Sequence, residues 1–76
     1  MAAERSIRRR AAGLYEHVSG ALIVRTYAWE GPRGGWQYRW EIGKEDHGEI
    51  VVGDDGRLFR RLREVCDALD RKAAHV

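Results

Sequence analysis

The stretch Trp36-Gln37-Tyr38-Arg39-Trp40-Glu41-Ile42 decides the fold. Its large apolar residues, Trp36, Tyr38, Trp40 and Ile42, alternate with polar Gln37, Arg39 and Glu41. Successive side chains of a strand point to opposite faces, so the four apolar ones form one face. Alternation of this length predicts a half-buried strand. A buried aromatic side chain hides about 150–250 Å², at roughly 25 cal/mol per Å², which makes this face the largest hydrophobic element of the chain. It is expected at the centre of a small sheet, with a helix over its aromatic side.

Working outward, Gly31-Pro32-Arg33-Gly34-Gly35 has turn chemistry, and residues 21–30 (Ala-Leu-Ile-Val-Arg-Thr-Tyr-Ala-Trp-Glu) are β-branched and aromatic. These two segments predict a hairpin with the central strand. Downstream, the polar loop Gly43–Gly48 leads to a short apolar strand at Glu49–Gly53. Connections this short favour an antiparallel meander. Asp54-Asp55-Gly56 offers a helix N-cap. Beyond it, Leu58, Leu62, Val65, Cys66, Leu69 and Ala73 fall on one helical stripe, with Phe59 beside it. About 17 helical residues at 1.5 Å each span roughly 26 Å, enough to cover a strand of about eight residues. At the other end, Ile7, Ala11, Leu14, Tyr15 and Val18 follow a helical period with Ser19-Gly20 as its stop; without that helix, Arg8-Arg9-Arg10 becomes a basic arm.

The expected architecture is therefore α+β in the order α-β-β-β-α: a three-stranded antiparallel meander with a C-terminal helix packed on one face. Residues 1–76 make one domain: 1–20 an N-terminal helix or basic arm, 21–53 the meander, and 55–74 the closing helix. A chain of 76 residues with 43% hydrophobic and 34% charged residues fits one small globular unit. No apolar run approaches the ~18–20 residues of a membrane span, and no apolar segment directly follows Arg8–Arg10 as a secretory signal requires. Cys66 is the only cysteine, so an intramolecular disulfide is excluded and a cytoplasmic location is expected.

Lys and Arg total 14 against 12 acidic residues, a formal net charge of +2. Only Lys44 and Lys72 are lysines, and arginine binds phosphate bidentately and stacks on aromatic rings. The near-neutral balance speaks against a purely electrostatic nucleic-acid binder. Arg57, Arg60, Arg61, Arg63 and Arg71 form a basic strip on the last helix, diluted by Glu64, Asp67 and Asp70, as on a solvated face.

Catalytic motifs are absent from the sequence pattern. His17, His47 and His75 have no metal-ligand spacing, and Asp46, His47 and Glu49 share one polar loop. Asp54-Asp55-Gly56 lacks the further ligands of a calcium loop. One Arg33-Gly34-Gly35 is a single copy of an RNA-binding repeat unit, Cys66 sits on the apolar stripe, and nothing reads as a Ser/His/Asp set. No enzyme activity, cofactor, metal, membrane partner or small-molecule substrate is expected.

With Trp36, Tyr38, Trp40 and Ile42 under the helix, dense packing favours small neighbours, so Leu22, Val24, Thr26 and Ala28 are expected beside them. Ile23, Arg25, Tyr27 and Trp29 then lie on the back of the sheet with Gln37, Arg39 and Glu41. Arg25, Tyr27, Trp29 and Arg39, with Arg33 in the adjoining turn, form the candidate binding set, because aromatics mixed with arginine on a sheet contact nucleic acid in several small folds. The expected function is a non-enzymatic small binding protein that contacts nucleic acid through this face. The alternative is a protein-interaction module, as a homodimer or a small inhibitor, using the same patch. In architecture a meander followed by a helix resembles plant-type sheet-reading DNA-binding domains and integrase arm-binding domains. It is also similar to small phage- or plasmid-encoded proteins, including inhibitors of bacterial defence complexes. No motif of these families transfers to a residue here.

Overall fold

The computed structural model describes residues 6–52 and 57–74. It is α+β: one antiparallel sheet of five strands in sequential order, followed by one helix. The strands are β1 (Ile7–Ala11), β2 (Leu14–His17), β3 (Leu22–Trp29), β4 (Trp36–Asp46) and β5 (Glu49–Val52), and the helix is α1 (Leu62–Ala74). The Asp54-Asp55-Gly56 cap lies outside the described residues.

The expected N-terminal helix is instead the β1–β2 hairpin. Gly13 takes φ +72°, which a helix interior cannot use but a tight turn can. Its backbone C=O accepts from the Arg25 N–H, and a Cβ there would stand 3.4 Å from that of Arg25. In strand register Ile7, Tyr15 and His17 all turn toward the helix, with Ile7 opposite His17 and Tyr15 opposite Ile23. The helical spacing of Ile7, Ala11 and Leu14 was real, but burial on the sheet outweighs a weak propensity. Arg8 and Arg10, rather than forming a mobile arm, reach Glu16 at 3.1 and 3.9 Å.

The central strand runs four residues beyond the expected Ile42, because His47 and Gly48 both adopt positive φ (51° and 82°). Those are the dihedrals of a two-residue type I′ hairpin, so the expected six-residue loop shrinks to two. Gly43 is required where β5 crosses: a Cβ would lie 2.7 Å from the Val51 carbonyl oxygen.

The closing helix is shorter than expected. It starts at Leu62, with the Arg61 C=O accepting from the N–H groups of Glu64 and Val65. Phe59, expected beside the helical stripe, extends the sheet: its N–H and C=O pair with Trp40 at 2.9 and 2.7 Å. Thirteen residues give a helix of about 20 Å against about 37 Å for an eleven-residue strand. The helix therefore covers one end of the sheet. The core is Ile23, Phe59, Val65, Cys66 and Leu69, with Ile7, Tyr15, Trp40 and Ile42 packed around it.

On its other face the sheet curls. Arg10 of β1 comes within 3.7 Å of Glu45 of β4, and Ile50 of β5 lines one groove with Leu14 and Val24.

Candidate functional site

Register decides which side chains meet. Across the β3–β4 hairpin Ile23 faces Ile42, Arg25 faces Trp40, Tyr27 faces Tyr38 and Trp29 faces Trp36. Directly opposed residues of an antiparallel pair share a face. The two aromatic sets expected on opposite faces therefore lie on one, and Leu22, Val24, Thr26 and Ala28 oppose Gly43, Glu41, Arg39 and Gln37 on the other. A register slip of one residue moves a whole set of side chains to the other face, and that is the difference here. The Glu30 N–H bonds to the Gly35 C=O, which closes the turn so that Trp29 must oppose Trp36. The equal spacing of Tyr27/Tyr38 and Trp29/Trp36 from that turn is the sequence signal that points to this register.

The consequence is an uncovered aromatic ladder. Tyr27, Trp29, Trp36 and Tyr38 are 57%, 56%, 63% and 52% exposed, so Trp36 and Tyr38 are not under the helix as expected. They occupy the same face as the core, beyond the reach of α1. Trp40 uses its N–H and C=O for Phe59, which makes Arg25–Trp40 a non-hydrogen-bonded pair. The aromatic pairs two and four residues further on are of the same kind, and such pairs bring side chains closest. The Trp29 and Trp36 ring centroids are 5.5 Å apart, and those of Tyr27 and Tyr38 are 4.6 Å apart. The Tyr27 hydroxyl donates to that of Tyr38 at 2.8 Å, and this bond raises the Tyr27 pKa above its ordinary value.

Arg25 stacks on this ladder, its guanidinium carbon 4.8 Å from the centre of the Tyr38 ring. Among the described residues no carboxylate comes within ion-pair distance of it. Arg9, Lys44, Asp46 and Glu49 share its face by register, while Glu41 is on the other. Of the expected set, Arg25, Tyr27 and Trp29 come together. Arg39 does not join them. It turns to the opposite face, 13% exposed, with Nη2 3.0 Å from Glu30 Oε2 and Nη1 donating to the Tyr38 C=O at 2.6 Å. Arg33 lies in the turn, where the Gln37 amide donates to the Gly34 C=O. The residues missed were Trp36 and Tyr38.

A second cluster joins residues far apart in sequence. His17, almost completely buried, has Nε2 2.6 Å from Asp70 Oδ1 and Nδ1 2.8 Å from Ser19 Oγ. The backbone N–H of Ser19 donates to Nδ1, so the ring proton is on Nε2 and donates to Asp70. Ser6 donates to the other Asp70 oxygen at 3.2 Å. The hydrogen bond from His17 holds the Asp70 carboxyl below its ordinary pKa, Ser6 reinforces this, and partial desolvation opposes it. A Ser-His-Asp line thus exists where none was expected. Among the described residues the N–H groups beside Ser19 are engaged: those of Ser19, Gly20 and Ala21 bond to His17 Nδ1, the His17 C=O and Ser19 Oγ respectively. The contact ties β2 to α1 as a latch.

Among the described residues no three His, Cys, Asp or Glu side chains converge as a metal set, and no helix is long and apolar enough to cross a membrane. Comparisons with protein-family models, with curated proteins and with solved structures return no match.

Proposed function

We propose that this is a non-enzymatic binding protein that contacts nucleic acid through the aromatic face of the β3–β4 hairpin. The observation that carries the reading is the register: it sets Arg25, Tyr27, Trp29, Trp36 and Tyr38 on one uncovered face. Aromatic rings offer stacking surface to bases, and the Arg25 guanidinium, with no carboxylate partner among the described residues, offers charge to phosphate. Of the carboxylates nearest the rings, Glu30 is held by Arg39 and Glu41 lies on the opposite face, while Asp46 shares the aromatic face at the far end of β4. The net charge of +2 fits few phosphate contacts and a binding energy dominated by stacking. Arg39, included in the sequence-derived set, drops out of the proposed site, and Trp36 and Tyr38 enter it.

The test is a titration with mixed-sequence DNA and RNA oligonucleotides at two salt concentrations, followed by tryptophan fluorescence. Binding is expected to weaken only shallowly with salt. Arg25→Gln is expected to flatten the slope by about 0.7–0.9, the change for one lost phosphate contact, while Arg39→Gln leaves it unchanged. Absence of binding to any oligonucleotide at low salt refutes the reading.

One observation favours a second reading, a protein interface formed by the same patch. Four half-exposed aromatic side chains exceed what small monomers usually leave to water, and Trp, Tyr and Arg are the residue types of interface hot spots. In that case sedimentation shows a dimer that Trp29→Ala dissociates, or a protein partner is lost with the same change.

A further inference from the structure

We infer that the nucleic acid taken by this face is an extended single strand, about three nucleotides long, and not a duplex. The inference rests on the nucleic-acid reading above and adds the form of the partner.

The ladder has a fixed pitch. Trp29/Trp36, Tyr27/Tyr38 and Arg25/Trp40 are successive rungs two residues apart, and two strand residues advance about 6.6–6.8 Å. Bases in one strand of a duplex follow each other every 3.4 Å. The rungs are therefore spaced at about twice the stacking distance. A strand whose bases are pulled apart and laid one per rung matches that pitch; a continuously stacked strand does not.

What the rungs present points the same way. Their four aromatic residues are each more than half exposed, and the two tyrosine hydroxyls are already bonded to each other. A duplex hides its base faces in the stack and shows edges and phosphates. A two-stranded ribbon fits the width of the major groove, but reading base edges there requires polar side chains, and the two outer rungs carry only indole and phenol groups, with Arg25 on the third. Gln37 and Arg39, which flank the rings on β4, lie on the opposite face, one bonded to Gly34 and the other to Glu30. Base faces are available only in an unpaired strand, where stacking on aromatic side chains is the usual mode of capture.

Charge sets direction and length. The third rung carries Arg25 over the Tyr38 ring, next to the end covered by α1. Two rungs of rings hold two bases, and Arg25 meets the phosphate or base that follows. Past that rung Phe59 and the helix cover the sheet, which ends the track. Arg9 and Lys44 share this face with Asp46 and Glu49, so the charge on the track itself is that of Arg25.

The experiment measures affinity for deoxy- and ribo-oligonucleotides of two to eight residues, and for a blunt duplex, each by tryptophan quenching. Affinity is expected to rise steeply up to three nucleotides and only slowly beyond. The duplex is expected to bind at least tenfold more weakly than either of its separated strands. Trp36→Ala is expected to reduce single-strand affinity about tenfold or more, with Trp36→Phe retaining most of it and Arg39→Gln serving as a folded control on the other face. Equal binding of duplex and single strand, or affinity that keeps climbing steeply past five nucleotides, overturns the single-strand inference and leaves the nucleic-acid reading standing. No binding to any of these probes overturns both.

Discussion

Trp40 and Trp36 are four residues apart on the same face of β4, yet they should respond very differently to removal. Trp40 lies against the core, with its ring centre 5.7 Å from that of Tyr15 in an edge-on arrangement. A fully buried Trp→Ala change costs about 3–5 kcal/mol; with Trp40 only partly covered, the lower part of that range applies, roughly 3 kcal/mol including the aromatic pair. Trp36 is 63% exposed, with ring contacts to Trp29 and Tyr27, so its loss should cost about 1 kcal/mol or less. For a domain of this size each kcal/mol moves Tm by about 4–8 °C. Trp40→Ala should thus melt some 12–24 °C below the parent, close to the limit for a small domain, while Trp36→Ala stays within about 8 °C. Thermal melts followed by far-UV circular dichroism at two protein concentrations check this. A Trp36→Ala protein as destabilised as Trp40→Ala refutes the reasoning, because it requires Trp36 to be covered in the folded state.

Asp70→Asn should lower Tm at pH 7, where the latch to His17 and Ser6 is intact. The Asp70 pKa is lowered on folding, so its contribution is present above the unfolded value of about 3.9 and disappears as pH falls through the folded value. The gap between parent and variant should accordingly close below about pH 4; a gap unchanged at pH 2.5 counts against the latch. Cys66, 1% exposed on the buried side of α1, should react slowly with a thiol reagent in the native protein and fast in denaturant, and equal rates in both states would place it at the surface. Gly43→Val should destabilise strongly, since even a Cβ meets the Val51 carbonyl at 2.7 Å, whereas Gly20→Ala meets no atom within 4 Å and should cost only the strain of its positive φ; equal Tm losses in the two variants refute the close-approach argument.

Much of the sheet was legible in the sequence. β-Branched and aromatic content placed β3 within residues 21–30, alternation placed β4 from Trp36, and the apolar run at Glu49–Gly53 pointed to β5, which is Glu49–Val52. The apolar stripe placed Val65, Cys66 and Leu69 on the buried side of α1. The β1–β2 hairpin was not legible by periodicity, because Ile7, Ala11 and Leu14 suit a helix as well as a strand pair. Gly13 and the in-out order of Tyr15, Glu16 and His17 were the contrary signals. The length of α1 was overestimated because the Leu58–Phe59 segment continues an apolar pattern, yet its backbone bonds go to Trp40. The candidate site was half legible: Arg25, Tyr27 and Trp29 follow from strand parity alone. Their meeting with Trp36 and Tyr38 depends on how the Glu30–Gly35 turn closes, a feature of backbone geometry that composition does not carry. The His17–Asp70 contact joins residues 53 apart and has no local signature.

The outer half of the β3–β4 hairpin has a consequence for hydrogen exchange. Beyond Arg25 on β3 and before Trp40 on β4, no described strand lies alongside either edge. In an antiparallel pair the residues alternate between bonding inward and pointing out. The amides of Ala28 and Gln37 are turned into the ladder, while those of Tyr27, Trp29, Trp36 and Tyr38 are turned to water. Deuterium uptake along this segment should therefore alternate residue by residue, fast at the four aromatic positions and slower between them. A ligand that stacks on the rings without adding a strand would leave that alternation in place. A partner that pairs with the edge would erase it, and the labelling pattern alone would tell the two modes of attachment apart.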